Sequence, residues 1–230
     1  MSSDFNASEQ GLARVFSNIN GMVWDSMMLH NNDALLRVFL IRGLAGGRPF
    51  YFSGGMDGLA RKLKAASIAA SVHEQGSFLR PYGEVDAIAR VAVAAARQGE
   101  RPVLIGHSMG ADAALKIAVK LSAECIAVPL VVCFDPTSFR VLFGPPTVPA
   151  NVARALCFYQ KISPLGRGVL KVAPGFKGVL IQEQVATFHS AIDDDPVLQQ
   201  RVMDEVQQLS MLRQSMMPKS AKRFSDDIML

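Results

Sequence analysis

Between Val103 and Leu115 the chain reads VLIGHSMGADAAL, and no other stretch restricts the fold as much. An apolar run stops at Gly106, a serine follows two places on, and a second glycine two places after that. An alanine-rich pattern with helical spacing then begins. A buried strand that turns straight into a helix brings backbone against backbone at the turn. Positions two before and two after the apex have little room for a Cβ, and the apex residue takes a strained backbone that lifts its side chain above the sheet edge. The helix behind it aims free N–H groups and its positive dipole end at the same spot. With an apolar strand before it and a helix after it, Gly106-His107-Ser108-Met109-Gly110 reads as an elbow presenting the Ser108 hydroxyl. The plainer alternative is a glycine-rich turn with an incidental serine.

The rest of the chain alternates as such an elbow requires. Short β-type runs occur at RVFLIR (37–42), SIAASV (67–72), PVLIG (102–106), PLVVCF (129–134), ARALCFYQ (153–160) and GVLIQEQV (178–185). Helical spacing of apolar residues occurs over 55–66, 83–99, 109–123 and 196–212. Gly99 is a natural C′ residue for the second of these, while Asp195 and Pro196 suit the cap and first turn of the last. Strands alternating with helices predict a three-layer α/β/α sandwich around a mostly parallel sheet of about six strands, and VVCF is apolar enough for burial on both faces. Residues 8–30 add an amphipathic helix through Leu12, Val15, Phe16, Ile19, Met22 and Val23. The expected organisation is an N-terminal helical segment over 1–36 packed on the core, one domain over 37–214 and a tail over 215–230. Contact of residues 8–30 with a membrane surface or a partner is the alternative to packing.

Composition narrows the function classes. A chain of 230 residues, 50% hydrophobic, can bury one large core. The formal charge of +4 comes without a long Lys/Arg block, which argues against a nucleic-acid partner. Cys125, Cys133 and Cys157 are odd in number and lie in apolar runs, so buried thiols are expected rather than a disulfide framework. No apolar run reaches the roughly 18–20 residues that span a bilayer. The opening MSSDFNASEQ has neither a basic start nor an apolar core, so the cytoplasm is the default expectation. With no H-x-x-H or C-x-x-C spacing, no metal or cofactor is expected.

Ligands of such sheets sit at the carboxyl ends of the strands. A serine there needs a base, and the base needs an orienting group. Of the four histidines, His107 adjoins the serine and should project away from it. In folds built on this elbow the order along the chain is serine, acid, histidine, which sets aside His30 and His73 and leaves His189. For the acid, Asp135 ends the next strand in CFDPT, where a buried carboxylate needs a partner. Asp193, Asp194 and Asp195 are rivals expected to cap the last helix and carry surface charge, and Asp112 lies on the helix behind the serine.

The sequence GHSMG, then FDPT, then a late histidine resembles the α/β-hydrolase superfamily in its small lipase-, esterase- and thioesterase-like branches, over about residues 37–212. The resemblance implies a serine hydrolase acting on a small-molecule acyl ester or thioester, with Ser108 as nucleophile, Asp135 as acid and His189 as base. Many members place the acid one strand later. The resemblance also implies an oxyanion hole formed by the Met109 N–H and an N–H from RGLAGG after RVFLIR, with Leu44 first and Ala45 next. Family members often have His-Gly where this chain has Arg42-Gly43. That departure favours the competing reading, a binding or scaffold protein that keeps the fold without turnover. Two segments flank the expected site. PTSFRVLFGPPTVPANV (136–152) is apolar enough to wall an acyl pocket. Residues 161–177 carry Lys161, Arg167, Lys171 and Lys177, either as a solvated loop or as a site for an anionic substrate group.

Overall fold

A computed structural model of the chain describes residues 35–44, 53–137, 145–160 and 169–216. All of these but Met216 belong to one compact unit, Ala34–Ser215. The expected helix over 8–30, His30, Ala45, Lys161, Arg167 and most of the tail lie outside the described residues.

Strands β1 (Leu36–Arg42), β2 (Ala69–Glu74), β3 (Arg101–His107), β4 (Leu130–Phe134), β6 (Arg154–Tyr159) and β8 (Val179–Gln184) form one six-stranded sheet. Its order is β2-β1-β3-β4-β6-β8, and every neighbouring pair is parallel. Helices α1 (Gly54–Ala65), α2 (Val85–Arg97), α3 (Met109–Ala123) and α4 (Pro196–Met216) cover it. Strand alternation sorts the core onto two faces. Phe39, Leu104, Val131, Cys133 and Ala155 pack with Ile88 and Ala92 of α2 and Ile117 and Leu121 of α3. Val38, Leu40, Val103, Ile105, Val132 and Phe158 pack with Leu59 and Leu63 of α1 and Val202 and Val206 of α4. The result is the expected three-layer α/β/α sandwich. Burial of each large aliphatic side chain contributes about 1.5–3 kcal/mol, and both faces of β3 and β4 are filled this way.

Several expectations shift. The β2 strand starts two residues later than SIAASV predicted. Ser67 and Ile68 instead close α1, their amides donating to the Lys64 and Leu63 carbonyls, with Ser67 at φ 60°. Helix α4 runs four residues beyond its expected end. A two-stranded parallel pair, β5 (Thr147–Val148) with β7 (Lys171–Val172), joins the two segments that flank the site and was not foreseen. Cys125 is a correction: it is exposed, because it sits in the turn that closes α3 at φ 56°. Cys133 and Cys157 are buried side by side, in register on β4 and β6 and not disulfide-bonded. No helix among the described residues is long and apolar enough to cross a membrane.

Candidate active site

The elbow is built by the close approach its glycines allow. A Cβ on Gly106 would run into the Gly110 carbonyl, and a Cβ on Gly110 would run into the Ile41 carbonyl at the end of β1. Ser108 between them has φ 57° and ψ −125°, a conformation that costs a non-glycine residue about 1–3 kcal/mol. Backbone hydrogen bonds hold it there: the Ser108 N–H donates to the Phe134 carbonyl (2.8 Å), and the Ala111 and Thr137 N–H groups donate to the Ser108 carbonyl (3.0 and 3.2 Å).

The neighbouring strand end is also strained. Asp135 follows β4 at φ 41°, and its N–H donates to the Phe158 carbonyl of β6 (2.7 Å). Its carboxylate is fully buried, so each oxygen needs a donor. The Gln160 N–H at the end of β6 donates to Oδ1 (3.3 Å), and His189 Nδ1–H donates to Oδ2 (2.6 Å). The other imidazole nitrogen, Nε2, accepts from the Ser108 hydroxyl (3.0 Å). The three residues expected to act together therefore form one hydrogen-bonded line. A carboxylate on Nδ1 fixes the tautomer that leaves Nε2 free to take a proton, which is the arrangement a hydroxyl needs to become a nucleophile. Phe188, the residue before His189, is 80% exposed.

The strap after β1 touches the serine: a Cβ on Gly43 would lie 2.9 Å from that of Ser108. The Gly43 N–H already donates to Ser53 Oγ (3.0 Å), so the next amide on the strap is that of Leu44. Met109 heads α3, where the helix leaves its first N–H groups unpaired. Arg42 ends β1. Its guanidinium is gripped by Asp57 of α1 and Glu74 of β2, both at 2.5 Å, which ties the strap's base to two other elements. Lys171 and Lys177 are exposed. Among the described residues, no group of three His, Cys, Asp or Glu is placed to hold a metal ion.

Other polar groups gather around the site. Alternation along β3 turns His107 to the face opposite Leu104 and Gly106, into the layer of α1 and α4, where it is buried. It bonds there to Ser53, just before α1, and to the His189 carbonyl, both at 2.8 Å. Burial pushes its pKa down to about 4, so it is neutral near pH 7. Asp193 is a second correction: it neither caps α4 nor carries surface charge, but is buried with Oδ1 3.7 Å from His107 Nδ1. Burial pushes its carboxyl up to about 7. The cap is Asp195, whose Oδ1 accepts the Val197 and Leu198 amides and whose Oδ2 accepts the Thr187 hydroxyl. Gln199 of α4 donates to the Asp193 and Gly55 carbonyls. Asp112 pairs with Lys116 one turn along α3.

Comparison with solved structures finds proteins similar to this chain. A protein described as a hydrolase of the alpha/beta superfamily, from Xanthomonas campestris pv. campestris, is 15% identical over 78% of this chain and 99% of its own, with a TM-score of 0.50. A type II thioesterase of the yersiniabactin biosynthetic pathway is 13% identical over 76% of this chain and 94% of its own, with a TM-score of 0.45. An esterase of Pyrobaculum calidifontis is 14% identical over 80% of this chain and 77% of its own, with a TM-score of 0.46. No family model matches the sequence, and no curated protein does.

Proposed function

The chain has the α/β-hydrolase fold, and on that scaffold we propose that it is a serine hydrolase that cleaves an acyl ester or thioester. The observation that carries this reading is the continuous line Ser108 Oγ–His189–Asp135, with links of 3.0 and 2.6 Å. Ser108 Oγ attacks the acyl carbonyl as its proton passes to His189 Nε2. The resulting oxyanion is held by the Met109 N–H at the head of α3 and the Leu44 N–H of the strap. The intermediate collapses, and the alcohol or thiol leaves with the proton from His189. Water then attacks the acyl-serine carbonyl, its proton again taken by Nε2, and the carboxylic acid departs as Ser108 recovers its hydrogen. Asp135 keeps the imidazole oriented and stabilises it while it is charged. Preorganised amides at the oxyanion are each worth about 3–4 kcal/mol in such sites.

The silent-scaffold reading rested on Arg42 standing where relatives have histidine. Arg42 clamps the strap between Asp57 and Glu74, which supports a structural reason for an arginine at that position. The test is hydrolysis of an acyl-CoA and a p-nitrophenyl ester of the same chain length by the wild type and by Ser108→Ala. Turnover of at least one substrate by the wild type, lost in the variant, supports the reading. No turnover of either across a series of chain lengths contradicts it.

A further inference from the structure

The unclaimed polar groups under the site form a chain of their own. The His189 carbonyl can only accept, so His107 Nε2 carries the hydrogen and donates to it (2.8 Å). Nδ1 of the same neutral ring is then a lone pair, and it accepts from the Ser53 hydroxyl (2.8 Å). Ser53 Oγ in turn accepts the Gly43 N–H (3.0 Å). One line of hydrogen bonds thus runs from the strap beside Ser108 to the backbone of the base residue, through the residue that precedes the serine. Ser53 is fully buried and His107 is 1% exposed, so no water substitutes for a missing partner at small cost. The His107 ring also lies 4.9 Å from the His189 ring, centroid to centroid. Asp193 Oδ1 lies 3.7 Å from its Nδ1, and the Asp135 carboxylate also acts on the ring.

We propose that His107 and Ser53 are positioning residues for the hydrolysis: a buried two-side-chain bridge that holds the His189 backbone and the Gly43–Leu44 strap in register with the Ser108 elbow. The inference rests on the serine-hydrolase reading above. Neither residue touches substrate. His107 acts through the placement of the His189 imidazole, and Ser53 through the strap that carries the oxyanion amide. Misplacement of a reacting group by an ångström costs about 10²-fold in rate, with little change in ground-state binding.

The experiment separates the two arms of the imidazole. In His107→Gln the side-chain amide stands where Nε2–H was and still donates to the His189 carbonyl. In His107→Asn the amide stands at the Nδ1 level and reaches Ser53 alone. His107→Leu reaches neither, and Ser53→Ala removes the strap's acceptor. Each variant is measured for Tm, kcat and KM on the substrate the wild type turns over, with Ser108→Ala as the blank. The expected result is kcat near wild type in His107→Gln and down about 10²-fold in His107→Asn, with KM changed less than about 3-fold. Ser53→Ala should lose about 10-fold in kcat while His189 keeps its support. If His107→Leu does not fold, the Asn and Gln pair still decides the matter. Equal kcat in those two at equal Tm overturns the proposal while the hydrolase reading stands. A wild type that turns over no substrate and takes no fluorophosphonate overturns both.

Discussion

At the end of β3 the chain passes from strand to helix through one residue, Ser108. At the end of β8 it takes residues 185–195 to reach α4, with His189 part-way along. The first delivery is local. Gly106 and Gly110 permit the contact, and the strand and helix on either side leave the serine one place to go. The second draws on near and distant residues together. The loop that carries His189 is fixed by Asp135 on the imidazole, His107 on the backbone carbonyl, Ile192 buried in the core, Gln199 on the Asp193 carbonyl and Asp195 on Thr187. A serine elbow can be encoded in five consecutive residues, whereas the placing of His189 also needs Asp135 and His107, 54 and 82 residues away.

The largest effects should come from the chemistry both ends serve. His189→Ala is expected to lower kcat by about 10⁶-fold, and Asp135→Asn by about 10⁴-fold, with circular dichroism unchanged. Near-normal kcat in Asp135→Asn together with loss in Asp193→Asn would move the acid to the wrong end of the β3–β8 comparison. Next in size is the packing of the elbow. Gly110→Ala drives a methyl into the β1 carbonyls, so soluble protein should fall sharply or Tm drop by more than about 10 °C, well over 2 kcal/mol. A larger change in side-chain size near His189 should be tolerated, since Phe188 is largely exposed: Phe188→Leu should leave Tm within about 2 °C.

A smaller effect sharpens the contrast through pH. The Asp193 carboxyl is raised from 3.8 to about 7 in the folded state, so the native chain holds the extra proton between those values. Its contribution to stability is present below pH 4 and is lost as pH rises through about 7. His107 is lowered from 6.5 to about 4, so the unfolded chain holds more protons there, and its contribution grows over pH 4 to 6.5. The two oppose each other. Replacing Asp193 by Asn removes the falling term, so the stability of Asp193→Asn relative to wild type should climb from pH 4 to 7 by at most about 1.4 kcal/mol per pH unit. Parallel Tm–pH curves would show that Asp193 is not held in this buried state.

The same contrast governs what the sequence could disclose. The boundaries of α3 were legible to the residue, and the elbow with them, because the signals for both lie within a few positions of each other. Asp135 was legible as a polar residue ending an apolar strand, and His189 by its place in the chain order. The strands β5 and β7 are too short to show a period, and β2 was blurred by alanines and by the turn that closes α1. The contacts of His107 with Ser53 and with the His189 carbonyl cross 54 and 82 residues, which no local pattern records. Alternation along β3 was the one clue available: it placed His107 opposite the Gly106 face, toward whatever packs there.

Covalent capture is the most direct test of the proposal that Ser108 is a nucleophile activated by His189. The protein is incubated with a fluorophosphonate at neutral pH, its intact mass is measured, and the adduct is mapped by peptide mass spectrometry. One adduct per chain is expected, on the peptide that carries Ser108. It should be absent in Ser108→Ala and slowed by orders of magnitude in His189→Ala. An adduct that persists undiminished in Ser108→Ala, or a wild type that takes none while an authentic serine hydrolase in the same reaction does, contradicts the account.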